Sequence, residues 1–184
     1  SPIRKLVPFA EAAKSRGIDV IHLNIGQPDI KTPEVALEAV KNNTVSILSY
    51  SKTEGSDSYR NKLANYYKEH NIHVSADQIL VTTGASEALS FVIGSIADNG
   101  EELIVPEPFY ANYNSFSMAF GVKIIPIISE IDSGFALPAI TAFERAITLK
   151  TKGILICNPN NPTGYLYSKE EIHELAKLVK KHDL

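Results

Sequence analysis

From residue 78 onward, short runs of β-branched and other apolar residues alternate with longer amphipathic segments. The short runs predict buried strands and the longer segments predict helices. Because strands that alternate with helices form parallel sheets covered on both faces, we expect an α/β fold with three layers, a mainly parallel sheet between helices. The predicted strands are Gln78–Thr82, Glu102–Val105, Val122–Ile127 and Gly153–Cys157. The predicted helices are Ser86–Ala97, Tyr110–Phe120, Pro138–Leu149 and one that follows Ser168, where Glu171 completes a capping box.

The first 75 residues have a different character and predict an N-terminal helical arm. One helix is expected near Pro8–Arg16 and another near Ser56–His70. A third is expected to have Thr32 as its N-cap and Pro33 as its first residue. The pattern changes near residues 43–50, which is the one candidate boundary, so we expect one domain over 1–45 and another over 46–184.

Composition excludes several classes of protein. The 184 residues include 18 basic and 21 acidic side chains, a net charge of −3, and no basic face that would favour nucleic acid. No apolar run is long enough to span a bilayer, so no membrane partner is expected. The one cysteine, Cys157, cannot belong to a disulfide framework and fits a reducing compartment. A cytoplasmic protein is therefore expected, with Cys157 as a core residue of its strand.

The loop Asn158–Gly164 follows one predicted strand and precedes a helix. Ligands of open α/β sheets bind at the carboxyl ends of the strands, where this loop lies. Two prolines restrict its backbone, so an asparagine amide in it can act as a fixed donor. A plain strand-to-helix connection has a similar composition, and this reading stays open for the loop taken alone.

Two other loops are predicted at the same edge of the sheet. Thr82–Glu87 opens a helix with small residues, so its backbone N–H groups and the helix dipole suit a phosphate. Tyr110 follows the next strand and could stack on a flat heteroaromatic ring. Taken singly, each has a structural explanation, as a tight turn and as a core aromatic. Their convergence on one edge favours a ligand site.

Two further patterns are interpreted as coincidental. Ser49-Tyr50-Ser51-Lys52 fits the Ser-x-x-Lys of penicillin-recognising enzymes, but no Ser-Asp-Asn or Lys-Thr-Gly follows it. His70 and His73 are spaced for a metal, yet they lie at the end of a polar helix with no third ligand nearby. A solvated helix terminus explains the two histidines better.

Five segments together resemble the pyridoxal phosphate-dependent aminotransferases of fold type I, classes I and II, and follow that family's order. Asn24–Asp29 is similar to its Gly-x-Pro-Asp motif. Tyr50–Arg60 is similar to its Tyr-x4-Gly-x3-Leu-Arg segment, with a tyrosine in place of the leucine. Thr83–Ala88 resembles the phosphate turn and Pro108–Tyr110 the stacking aromatic. Asn158–Gly164 matches Asn-Pro-x-Asn-Pro-Thr-Gly, the most specific motif of the set.

The resemblance implies roles for individual residues around pyridoxal 5′-phosphate. The backbone N–H groups of Ala85 and Ser86 would hold the cofactor phosphate. Tyr110 would stack on the pyridine ring, and Asn161 would donate a hydrogen bond to the phenolic oxygen. By this resemblance, residues 46–184 are the first part of the cofactor-binding large domain, and residues 1–45 are the arm with part of the small domain.

The family also implies substrates and a partner. Gly26 would lie near the carboxylate of the amino-acid substrate, and Tyr50 would reach the cofactor phosphate of a second subunit across a homodimer interface. The activity implied is the transfer of an amino group between an amino acid and a 2-oxo acid. A lyase of the same fold, of the carbon–sulfur lyase or aminocyclopropane-carboxylate synthase type, and a non-catalytic binding domain remain alternatives.

The family's Schiff-base lysine cannot be assigned within these residues. Lys52 has a similar local setting, but it precedes the phosphate turn instead of following Asn158–Gly164. We therefore expect an N-terminal fragment that is inactive alone and whose binding of cofactor is doubtful. We also expect the next strand of the family to belong between those near Glu102 and Gly153. That gap predicts strand rearrangement or a strand-swapped oligomer.

Overall fold

The computed structural model describes residues 5–23, 26 and 28–184. The chain divides into two compact units. One comprises Pro8–Thr83, and the other comprises Gly84–Leu184 together with the segment up to Val7. The division of a longer protein into domains at residues 45 and 46 stays a prediction.

Three helices precede residue 84: α1 (Val7–Lys14), α2 (Glu34–Lys41) and α3 (Asp57–Glu69). The helix predicted near Ser56–His70 is confirmed, and the Ser56 hydroxyl caps it by accepting a hydrogen bond from the Tyr59 N–H. The predicted cap of α2 is wrong. Pro33 occupies the N-cap position with an extended ψ of 129°, and its carbonyl accepts the first helical bonds, so Thr32 lies one residue too early.

Gln78–Thr82 does not form the strand that the sequence predicts. A short 3₁₀ turn covers Ala76–Gln78, and Val81 then donates its N–H to the Glu54 carbonyl. No strand pairs with this segment among the residues that the structure describes. An apolar, β-branched run forms a strand only when a neighbouring strand pairs with its backbone. Here the partner is an irregular segment instead.

The sheet has three parallel strands: β1 (Glu102–Glu107), β2 (Lys123–Ile128) and β3 (Thr151–Ile154). Their order is β2-β1-β3, so β1 lies in the centre. All three strands begin at the same edge of the sheet, and their carboxyl ends lie at the opposite edge. Three strands are thus present among the described residues instead of the four predicted.

The expected gap between β1 and β3 is also wrong. Leu103 is paired with Gly153 and Ile104 with Ile154, and the Leu155 N–H donates to the Ile104 carbonyl at 2.9 Å. Because the two strands satisfy each other's backbone groups directly, no further strand fits between them. The reason for expecting a strand-swapped oligomer is thereby removed.

Four helices cover the sheet: α4 (Ala85–Ile96), α5 (Asn112–Ala119), α6 (Ile140–Ala146) and α7 (Lys169–His182). Neighbouring residues of β1 face opposite sides. Leu103 packs with Ile93 of α4 and with Phe116 of α5, whereas Ile104 packs with Phe143 of α6 and with α7. The predicted three-layer α/β fold is therefore confirmed.

Helix α7 has the predicted capping box. The Ser168 hydroxyl accepts a hydrogen bond from the Glu171 N–H, and the Glu171 carboxylate accepts one from the Ser168 N–H at 2.7 Å. The same carboxylate accepts from the Leu137 N–H and the Tyr165 hydroxyl. Among the residues that the structure describes, no helix has the length and apolar character needed to cross a membrane.

Candidate functional site

Three groups predicted as ligand contacts lie at the carboxyl edge of the sheet. Tyr110 follows β1, and the loop Asn158–Gly164 follows β3. Five residues separate α4 from β1, and Ile93 and Ala97 near the end of α4 pack with Leu103 near the start of β1. The helix therefore runs antiparallel to that strand. Twelve helical residues span about 18 Å and the six residues of β1 about 20 Å, so the first turn of α4 reaches the same edge.

The N-terminus of α4 has the backbone of an anion site. Gly84 occupies the N-cap position with φ = 92° and ψ = 170°, a conformation that side chains disfavour. Ala85 and Ser86 form the first turn, where the N–H groups have no acceptor within the helix and the helix dipole is positive. This turn suits a phosphate.

The ring of Tyr110 is half-buried and held in two ways. Its hydroxyl accepts a hydrogen bond from the Asn112 Nδ2 at 2.6 Å. The ring of Tyr113 meets it edge to face, with ring centroids 5.5 Å apart and planes at 86°. The sequence reasoning missed Asn112 and Tyr113, although polar and aromatic residues two and three positions after a candidate stacking residue are a usable signal. Tyr110 thus offers an oriented aromatic face.

The asparagines of the loop after β3 differ in their bonding. The Asn158 Oδ1 accepts from the Tyr167 N–H at 3.0 Å. The Asn160 Nδ2 donates to the Pro108 carbonyl at 3.0 Å and to the Thr163 Oγ1 at 2.8 Å. The Asn161 side chain is exposed and forms no hydrogen bond with any described residue. Of the three, Asn161 alone forms no hydrogen bond through either amide atom with a described residue.

Cys157 lies beyond the end of β3, not inside the strand as predicted. Its half-buried thiol donates to the Pro159 carbonyl at 3.3 Å. Backbone pairing with β1 continues to the Leu155 N–H, and Cys157 follows two residues later in the loop. Burial, together with a hydrogen bond to the Cys157 thiol, raises the pKa of the Tyr113 hydroxyl to about 12. The Tyr113 hydroxyl therefore stays neutral at physiological pH.

Gly26 and Tyr50 belong to the unit Pro8–Thr83, and their roles stay predictions. The Tyr50 side chain is fully exposed. A Cβ at Gly26 would meet no described atom within 4 Å, so the fold itself does not require glycine there. The other residues of the first motif that flank it, Asn24, Ile25 and Gln27, lie outside the described residues.

Two coincidental patterns have structural explanations in this unit. The Lys52 Nζ forms an ion pair with the Asp57 carboxylate at 2.6 Å. His70 ends α3, and its ring lies 4.6 Å from that of Tyr66. Across residues 5–23, 26 and 28–184, no three His, Cys, Asp or Glu side chains are grouped to hold a metal.

Comparison with known proteins agrees with the motifs. The sequence profile of the family described as "Aminotransferase class I and II" matches residues 18–184. The Bacillus subtilis protein YugH is 40% identical over 188 residues, a match that covers 100% of this chain and 47% of that protein. The aspartate/prephenate aminotransferase of Thermus thermophilus is 32% identical and is matched over 44% of its length.

Solved structures have the same fold. The aspartate aminotransferase of Thermotoga maritima aligns with a TM-score of 0.89 and 32% identity over 100% of this chain and 49% of that one. The alanine aminotransferase of Pyrococcus furiosus aligns with a TM-score of 0.88 and 30% identity over 99% and 47%. The chain thus spans about half the length of the relatives that it matches.

Proposed function

Because the chain belongs to the class I and II aminotransferase family, we propose that it is the N-terminal part of an enzyme that moves an amino group from an amino acid to a 2-oxo acid. The cofactor would be pyridoxal 5′-phosphate. The names of the relatives suggest aspartate and alanine as the first donors to test.

One observation carries this proposal. A phosphate turn, an oriented aromatic ring and an uncommitted amide share the carboxyl edge of one parallel sheet. Asn158 and Asn160 are used within the protein, whereas Asn161 presents its amide without a partner among the described residues. An exposed amide is hydrated in the absence of a ligand, so Asn161 can donate to a cofactor without breaking a hydrogen bond within the protein.

The donor set fits pyridoxal 5′-phosphate. The first-turn N–H groups of Ala85 and Ser86 would bind its phosphate, and the face of Tyr110 would support its ring. Asn161 would donate to the phenolic oxygen, which favours the ionised form of that oxygen and so lowers its pKa. When bound, this cofactor supplies an electron sink for the bonds at the substrate Cα.

Other residues would complete the site in the longer protein. Gly26 would leave room for the substrate carboxylate, and Tyr50 would reach the cofactor phosphate of a second subunit in a homodimer. The Schiff-base lysine would come from outside these 184 residues, because Lys52 is paired with Asp57 and precedes the phosphate turn. The 184 residues alone would then have no transaminase activity. A cytoplasmic location fits the single cysteine.

The test uses the full-length gene product loaded with pyridoxal phosphate. Formation of 2-oxo acid from aspartate or alanine should require a 2-oxo acid acceptor. A lyase would release product without the acceptor, and a non-catalytic domain would release none, so either result would contradict the proposal. The separate 184-residue chain should gain no cofactor on a lysine after borohydride reduction.

A matched pair of variants tests the site itself. Asn161→Ala should weaken cofactor affinity by about tenfold, the effect of losing one hydrogen bond to a charged oxygen. Asn114→Ala, an exposed asparagine of α5, should bind the cofactor as the unaltered protein does.

A further inference from the structure

Asn160 links two loops that carry different parts of the proposed site. Its Nδ2 donates one hydrogen bond within its own loop, to the Thr163 Oγ1 at 2.8 Å. The second goes to the Pro108 carbonyl at 3.0 Å, 52 residues earlier in the chain. An amide nitrogen has two protons, so both are used. The side chain therefore joins the loop after β3 to the segment after β1.

The backbone of Asn160 is held as firmly as its side chain. Its N–H donates to the Tyr165 carbonyl at 2.8 Å, and its own carbonyl accepts from the Gly164 N–H at 2.8 Å. Thr163, which accepts from the amide, also accepts from the Tyr165 N–H at 3.2 Å. Asn160 is thus a fixed point, and its immediate neighbour is Asn161.

The two ends of the cross-link lie next to the two ring-contacting residues. Pro108 is two residues before Tyr110, and Asn160 is one residue before Asn161. On the basis of the proposed function, we propose that Asn160 is a positioning residue. It sets the distance between the stacking ring of Tyr110 and the amide of Asn161, so that both meet one cofactor ring. Asn160 itself does not touch the cofactor.

Two variants of the full-length gene product test this role. Asn160→Asp keeps the size of the side chain but removes both donors and places a carboxylate against the Pro108 carbonyl. Asn160→Ala removes the amide without adding charge. Asn158→Asp is the matched control, because it adds the same charge in the same loop while its Oδ1 can still accept from Tyr167.

We expect both Asn160 variants to weaken pyridoxal phosphate binding by about tenfold, and Asn158→Asp to change it by less than about threefold. The pH at which the absorption of the bound cofactor changes is the second readout. Displacement of Asn161 would remove a donor that favours the ionised phenolic oxygen, so this midpoint should rise toward that of Asn161→Ala. Thermal midpoints, recorded for every variant, measure stability separately.

The results separate the two proposals. If the unaltered protein neither binds pyridoxal phosphate nor transaminates, the proposed function is wrong. If it does both, two results reject the role of Asn160. One is unchanged affinity and an unchanged absorption midpoint in Asn160→Ala and Asn160→Asp. The other is weaker affinity with an unchanged midpoint, which would leave Asn160 a structural role only.

Discussion

The hydroxyl group of Tyr110 accepts a hydrogen bond of 2.6 Å from the Asn112 Nδ2, two residues further along the chain. This bond holds the hydroxyl end of a ring whose face is offered to the proposed cofactor. The ring of Tyr113 packs edge to face against the same ring. The orientation of the stacking surface is therefore built into one short segment at the start of α5.

Removing the Asn112 amide should leave the Tyr110 ring in place but hold it less firmly. We expect Asn112→Ala to weaken pyridoxal phosphate binding by about three- to tenfold, measured by titration of the full-length gene product. In the Tyr110→Phe background, which has no hydroxyl to hold, the same substitution should have no further effect. An equal loss in both backgrounds would contradict this explanation.

The left-handed backbone at Gly84 gives a second prediction with a close control. Gly84 and Gly100 have φ values of 92° and 89°, and an added Cβ at either position would meet nothing within 4 Å. At either position alanine would adopt a backbone conformation that side chains disfavour, at a cost of about 1–3 kcal/mol in urea unfolding. Only Gly84→Ala should weaken binding of pyridoxal phosphate, because Gly100 lies at the opposite edge of the sheet. Equal losses of affinity would argue against a phosphate site at α4.

Glu171 should contribute more to the free energy of unfolding than an ordinary helix-capping residue does. Its carboxylate accepts hydrogen bonds from the Ser168 N–H, the Leu137 N–H and the Tyr165 hydroxyl. Glu171→Ala should lower the free energy of unfolding by about 2–3 kcal/mol. Glu170→Ala, in the same first turn but exposed, should cost less than about 0.5 kcal/mol.

The contribution of Glu171 should also depend on pH. Burial opposes ionisation, but the hydrogen bonds from Ser168, Tyr165 and Leu137 prevail and lower the pKa of Glu171 from 4.5. A depressed native pKa means that the contribution is present above pH 4.5 and is lost as the pH falls through the native value. The stability difference between Glu171→Ala and the unaltered protein should shrink below pH 4.5. A difference that stays constant down to pH 2 would show that charge is irrelevant.

Tyr113 should contribute to alkaline unfolding. Burial and the Cys157 thiol raise its pKa to about 12 from 10.0, so the unfolded chain loses this proton first as the pH rises. Stability should therefore fall between pH 10 and about pH 12. Tyr113→Phe should reduce the steepness of that fall, which urea unfolding at several pH values measures. If stability falls with the same slope in both proteins, ionisation of Tyr113 does not contribute to alkaline unfolding.

Local signals predicted several elements because the interactions responsible lie within a few residues. Helix α3 lies within the predicted Ser56–His70, and Ser168 and Glu171 form the predicted capping box of α7. The strand–helix alternation after residue 100 predicted the parallel sheet for a related reason, since its apolar periodicity reports which faces are buried. Those predictions needed no knowledge of distant contacts.

Predictions that depended on distant partners failed. Gln78–Thr82 has the composition of a strand, but no described strand pairs with it. The gap expected between β1 and β3 is closed by direct pairing of Leu103 with Gly153. The expectation of a gap rests on the family resemblance, whereas strand order is a property of non-local hydrogen bonds that the local sequence does not report.

The sequence by itself determined the fold class, the family and the edge of the sheet where a ligand would bind, because motif order and periodicity are written along the chain. Only the tertiary structure decided which of the three loop asparagines form hydrogen bonds within the protein. The Asn158 Oδ1 accepts from Tyr167 and the Asn160 Nδ2 donates to Pro108, whereas the Asn161 amide has no partner among the described residues. Identical side chains in one loop differ only in which partners the fold brings within hydrogen-bonding distance, and that selection is made in three dimensions.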